Sequence, residues 1–154
     1  MPWPTTDLAL RFDATRLACD LTIADGDLVL DATPATPMVV TLLSDRRAAA
    51  DDRLPAGISA LGAPATWDAR RGWVGDALDR FGHRIGCRLW LLARDHDDET
   101  TRRMAEIYTA EGFAWAKRDF DVEPEIEVAW VRRGLLGIRI FLDGRSISLQ
   151  RSVQ

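Results

Sequence analysis

Leu136-Gly137-Ile138-Arg139-Ile140-Phe141-Leu142-Asp143-Gly144-Arg145-Ser146-Ile147-Ser148-Leu149 is the stretch on which the fold class turns. Leu136, Ile138, Ile140 and Leu142 recur at every second position, the period of a strand with one buried face, and Ile147 and Leu149 resume it after Asp143-Gly144. An Asp-Gly pair suits the left-handed backbone of a tight hairpin turn. Ile126, Val128 and Trp130 show the same alternation just upstream, so the C-terminal segment predicts antiparallel strands.

Toward the N-terminus the periodicity changes. Asp97 or Asp98 caps a long helix that reaches about Phe120, with Met104, Ile107, Tyr108, Ala114 and Trp115 at helical spacing and Gly112 as a weak point inside it. Gly86 to Leu92 is too short to classify, so strand and short helix both stay open. Asp51 to Gly82 holds five glycines and two prolines around Trp67 and Trp73 and shows no sustained period, which predicts a long ordered loop. Thr36-Pro37 predicts the start of a first helix running to about Ala49, with Asp45, Arg46 and Arg47 closing its last turns. Before it, Leu8, Leu10 and Phe12 alternate, Cys19, Leu21 and Ile23 follow, and Asp25-Gly26 turns the chain into Leu28 and Leu30, a small antiparallel meander. No internal repeat is expected. The order strands, helices, strands predicts an α+β fold in which antiparallel N-terminal and C-terminal strands pack with two main helices, as one domain spanning 1–154.

Composition narrows the function. At 154 residues and 47% hydrophobic, the chain fits a single core that buries roughly 70% of its unfolded surface. Two cysteines make no disulfide framework, which predicts a reducing compartment, and no signal peptide or membrane span is expected. The net charge is −4 and Lys117 is the only lysine. Arginine pairs at 46-47, 70-71, 102-103 and 132-133 lack an aromatic RNA-binding motif beside them, so nucleic acid is not an expected partner.

An enzyme needs a nucleophile, a base and a stabiliser. His83 and Cys87 lie four apart, but Gly86 intervenes and no second ligand pair follows. Glu123 and Glu125 sit two apart at a strand entry, whereas a glycosidase draws its acids from separate segments. The run Asp95, Asp97, Asp98, Glu99 lacks the glycine and distal glutamate of a calcium loop. Neither catalysis, nor a metal, nor a cofactor is expected. The rival reading is a small cell-wall glycan hydrolase, which would gather carboxylates in one pocket.

Three motifs carry a family resemblance: Asp45-Arg46-Arg47, Arg71-Gly72-Trp73-Val74-Gly75-Asp76, and Arg84-Ile85-Gly86-Cys87-Arg88-Leu89-Trp90-Leu91-Leu92. Through them the chain resembles the Mu-like prophage baseplate proteins, gene product forty-six, from about Asp7 to Leu142. That family is similar to the small wedge protein of T-even phage baseplates and its type VI secretion counterpart. The resemblance implies a structural subunit of a contractile tail or tailocin baseplate. It would be assembled in the bacterial host cytoplasm, present in multiple copies and bound to neighbouring wedge and tail proteins. Cys87 stands where the wider family usually has serine, removing a hydroxyl cap. Glu123-Pro124-Glu125 stands where the T-even and type VI relatives have Glu-Pro-Arg, leaving Glu123 and Pro124 as contact candidates.

Composition adds a docking surface. Trp67 and Trp73 offer rigid contact area, and Arg46, Arg47, Arg70 and Arg71 offer forked hydrogen bonds to carboxylates, the make-up of an interface. The alternative for Trp73 is closure of the subunit's own core.

Overall fold

The computed structural model describes residues 6–13, 15–16, 18–55, 62 and 66–153. Its C-terminal third follows the alternation: β7 (Glu125–Arg132), β8 (Leu135–Leu142) and β9 (Arg145–Ser152) form an antiparallel sheet in the order β7-β8-β9. Asp143 (φ 45°) and Gly144 (φ 74°) both adopt the left-handed backbone of the tight turn between β8 and β9. Leu136, Ile138, Ile140 and Leu142 are buried on one face, which the helices cover. α3 (Glu99–Gly112) packs on β7, and α1 (Ala35–Leu43) packs on β9. Between them runs a 3-10 stretch, Arg88–Arg94, whose Leu89, Trp90, Leu91 and Leu92 are all buried. The fold is α+β.

The first helix is shorter than expected. It ends at Leu43, and Asp45, Arg46 and Arg47 lie beyond it. The cause is a competing partner for the backbone: Asp45 bridges Cys87 in parallel, the Cys87 N–H donates to the Ser44 carbonyl at 3.0 Å, and the Arg46 N–H donates to the Cys87 carbonyl at 3.0 Å. Gly86 makes this approach possible, because a Cβ there would meet the Ser44 carbonyl oxygen at 2.4 Å. Nor is Thr36 a cap. It lies inside the first turn, buried, and its hydroxyl donates to the Leu8 carbonyl and accepts from the Leu10 N–H.

Asp98 does cap α3, its carboxylate accepting from the Thr101 N–H at 2.8 Å. The helix breaks at Phe113, however, and α4 (Ala114–Phe120) follows as a separate segment. Phe113 is fully buried, and Gly112 presses against Cys87 so closely that a Cβ would lie 2.3 Å from its sulfur. The buried stripe of α3 is Thr101, Ala105, Tyr108, Thr109 and Gly112, whereas Ile107 and Ala114 face solvent. The long loop contains one helical turn, α2 (Trp67–Arg70), and a 3-10 turn at Val74–Ala77.

The N-terminal strands form more than a meander. β1 (Asp7–Leu8) pairs with β6 (Leu30–Asp31), β2 (Leu10–Asp13) with β3 (Ala18–Leu21), and β4 (Ile23–Ala24) with β5 (Asp27–Leu28), all antiparallel. Each chain segment thus changes partner midway. At the change-over points three backbone hydrogen bonds close a ring: Ala9 N–H to Val29 carbonyl, Val29 N–H to Thr22 carbonyl, Thr22 N–H to Ala9 carbonyl, at 2.8–2.9 Å. The three arms share one pattern, Asp7-Leu8-Ala9-Leu10, Asp20-Leu21-Thr22-Ile23 and Asp27-Leu28-Val29-Leu30. In each, the aspartate accepts from the next residue's N–H at 2.7–2.8 Å. The expectation of no internal repeat is therefore corrected: the unit is four residues long and unevenly spaced, which hides it from a search for a fixed period.

Candidate docking site

The segment following α1 is held in place by arginine and tryptophan. Trp90, buried in the core, donates its indole N–H to the Arg46 carbonyl at 2.8 Å, and the Arg71 guanidinium stacks on the same indole at 4.6 Å. Arg71 also donates to Asp45 Oδ2 at 2.6 Å. Arg46 reaches the Glu111 carbonyl at 3.1 Å, tying the segment to α3. Arg47 stacks over Trp67 at 5.0 Å and donates to the Arg71 carbonyl. Arg70 is buried at 7% exposure and spends its fork on the Ala49 and Ala50 carbonyls. Arg70 thus ties two segments of its own chain together, a use for buried arginine that composition does not disclose.

These ties leave two tryptophans facing outward, Trp67 at 39% and Trp73 at 54% exposure. They flank an open groove of about 530 Å³ whose lining also includes Asp45, Asp68 and Arg71. Trp73 does not close the core; its ring lies over Gly75, where any Cβ would collide with it. Gly72 (φ 104°) packs against Arg47 in the same manner, so the glycines on either side of Trp73, at 72 and 75, are both set by close approach. Arg151, half-buried on β9, interacts electrostatically with Asp45 and Arg71 of the groove. Burial holds its guanidinium below the ordinary value; Asp45 opposes that effect and Arg71 adds to it.

Two arginines in this framework escaped the sequence reading. Arg151 continues the inward alternation of Ile147 and Leu149 on β9, so the signal was present. Arg88 had none, because its partners are remote in sequence. It donates twice to the Asp52 carboxylate at 2.8 Å and once to Glu111 Oε2 at 2.7 Å, and it stacks on Tyr108 at 4.6 Å. Burial works against its charge, but the hydrogen bonds to Asp52 and Glu111 prevail and raise its pKa above the ordinary value.

Glu123 and Pro124 lie in the connection into β7 and do not line the groove. Glu123 is exposed at its side chain by 72% and pairs with Lys117 at 3.4 Å. His83 is exposed and sits 3.3 Å from Asp79, its own i−4 neighbour. Cys87 is buried at the entry to the 3-10 stretch, in the capping position but with no side-chain hydrogen bond. Burial pushes its thiol up to about 12, with Arg46 pulling the other way. Among the described residues no group of His, Cys, Asp and Glu could hold a metal ion, and no helix is long and apolar enough to cross a membrane.

A second cavity, of about 470 Å³, opens between Trp73 and Trp115 and is lined in part by Asp76, Asp79 and Glu111. These carboxylates are engaged only in part, for Asp76 Oδ2 is buried with no hydrogen-bond partner. Asp79 accepts from the His83 N–H at 2.5 Å, Asp76 Oδ1 from the Ile85 N–H at 3.1 Å, and Glu111 from Arg88. Asp76 and Asp79 thereby tie down the 79–86 segment, and Glu111 holds Arg88.

Residues 34–148 match the family model described as phage protein GP46. The chain is also 36% identical over 113 residues to "Baseplate protein gp46" of Escherichia phage Mu, which covers 73% of this chain and 68% of the relative. No solved structure matches. The arginine-tryptophan framework, Arg151 apart, falls within the matched stretch and the three-armed N-terminal unit outside it, and on these matches the chain belongs to the phage protein GP46 family.

Proposed function

We propose that the chain is a structural subunit of a contractile phage tail or tailocin baseplate, built into the wedge by contacts with neighbouring tail proteins and catalysing no reaction. The observation that carries this reading is the pair of exposed tryptophans, Trp67 with Arg47 stacked on it and Trp73 with its ring packed over Gly75. Rigid aromatic area beside an arginine is the composition of an interface anchor. The relative named as a baseplate protein supports it. Arg71 and Arg47 meet the partner together with the tryptophans, Arg46 and Arg70 position them, and Glu123 with Pro124 forms a separate contact.

The test is incorporation into tails. Trp67→Ala combined with Trp73→Ala leaves a cooperatively folded chain that no longer enters assembled particles. Normal incorporation would remove this face from the docking surface. Turnover of cell-wall glycan by the purified chain, lost in Asp76→Asn or Glu123→Gln, would overturn the structural reading itself.

A further inference from the structure

The N-terminal three-armed unit has an apolar face that its own chain leaves open. Pairing registers place Leu8 opposite Leu30, Leu10 opposite Leu21 and Ile23 opposite Leu28. Directly paired residues share a face of a sheet, as do residues two apart in one strand. All six aliphatics therefore lie on one side of the hydrogen-bonded ring. Five of them are exposed: Leu8, Leu21, Ile23, Leu28 and Leu30, with Ile23 at 70% and Leu30 at 65%. None belongs to the core cluster or packs against it. A contiguous apolar face of this kind marks an interaction site.

Charge decides what covers it. Between Asp7 and Asp31 stand six aspartates against two arginines, a balance of −4 that equals the net charge of the whole chain. The arginines serve Asp20, which pairs with Arg16 at 3.6 Å and lies opposite Arg11. Among the described residues, no basic side chain pairs with Asp7, Asp25, Asp27 or Asp31; Asp7, Asp27 and Asp31 alternate with the leucines, so their charge lies on the reverse side of the same thin strands, with Asp7 directly opposite Asp31. A second copy of the unit would bring two surfaces of −4 together, and an anionic membrane would repel it. We infer that this face docks a different protein of the assembly, through an apolar patch bordered by lysine or arginine side chains that reach Asp25 in its turn and, past the strand edges, Asp7, Asp27 and Asp31. The inference rests on the baseplate reading, and concerns a surface separate from the tryptophan groove.

The experiment uses the full chain assembled into tails. Ile23→Thr with Leu30→Thr keeps strand-forming residues at two largely exposed positions, so the unfolding transition stays cooperative and close to the parent's. Incorporation falls by about tenfold or more, the loss expected when interface anchors are removed. Asp25→Asn with Asp27→Asn flattens the decline of parent incorporation with added salt. A reporter, Ile23→Cys in a Cys19→Ser background, reads the same face without depending on the threonine variant. In assembled tails it is protected from maleimide, and it cross-links to a lysine- or arginine-rich segment of another tail protein. Full incorporation of the threonine variant, an unprotected cysteine, a cross-link to a second copy, or binding to phospholipid vesicles through this face would each overturn the inference. If the threonine variant enters tails normally while the Trp67 and Trp73 variant does not, this inference fails and the baseplate reading stands; a parent chain that never enters tails defeats both.

Discussion

Cys87 and Gly112 make contact where two remote segments meet, and each limits what the other position can hold. A Cβ at residue 112 would sit 2.3 Å from the Cys87 sulfur, so Gly112→Ala should destabilise by about 2 kcal/mol despite alanine's better helix propensity. Combining it with Cys87→Ala should recover part of that loss, a non-additivity that a thermal double-mutant cycle measures. Cys87→Ser, which restores a capping hydroxyl at the entry to the 3-10 stretch, should stay within about 1 kcal/mol of the parent. With its thiol pushed up to about 12, Cys87 should resist a thiol reagent at neutral pH until the chain is unfolded. The arginine pair at 70 and 71 divides in the same concrete way. Arg70→Glu should cost about 3 kcal/mol, because a buried fork on two carbonyls is replaced by a buried anion. Arg71→Glu leaves a half-exposed position and should lower incorporation into tails far more than the melting temperature. Composition picked out Trp67, Trp73 and Arg71 by residue type, and the fold places the three around one groove. Composition could not separate Arg70 from Arg71, since burial depends on where residues 49 and 50 fold back.

Among the elements, α3 depends on its first turn. Asp98 caps it through the Thr101 N–H, and Glu99 is held at about 2, below its ordinary 4.5, by hydrogen bonds from Arg102 and then Arg103. Both carboxyls are depressed in the folded chain, so what they contribute is fully present above their ordinary values and is lost as the pH falls toward 2. Acid titration followed by circular dichroism should show α3 weakening in that window, and Asp98→Ala should lower the melting temperature even at neutral pH. The C-terminal hairpin and the α3 cap were legible because alternation, Asp-Gly and a capping aspartate are local signals. The end of α1 was not. Ser44 to Ala49 carries residues a helix accepts, and what stops the helix is Cys87, forty-three positions beyond Ser44, which takes up the backbone groups.

At the scale of the whole molecule the chain divides into a core of sheet and helices and a three-armed unit, none of whose described side chains belongs to that core. Removing residues 1–31 should therefore leave a cooperative unfolding transition, lowered because Thr36 loses its hydrogen bonds to Leu8 and Leu10. A broad, non-cooperative transition would show that the arms are needed for the core to form. The arms were half legible, as strands and a hairpin; their joint closure was not, because a four-residue pattern at uneven intervals has no period. The ring of Ala9, Thr22 and Val29 has a consequence for exchange with solvent. Each of the three amides is covered by a carbonyl from the next residue around the ring, so none is released by fraying at one strand end alone. Deuterium should enter all three at a common rate set by a single opening event, faster than at the buried strand β8, and a docked partner should slow the three clocks together.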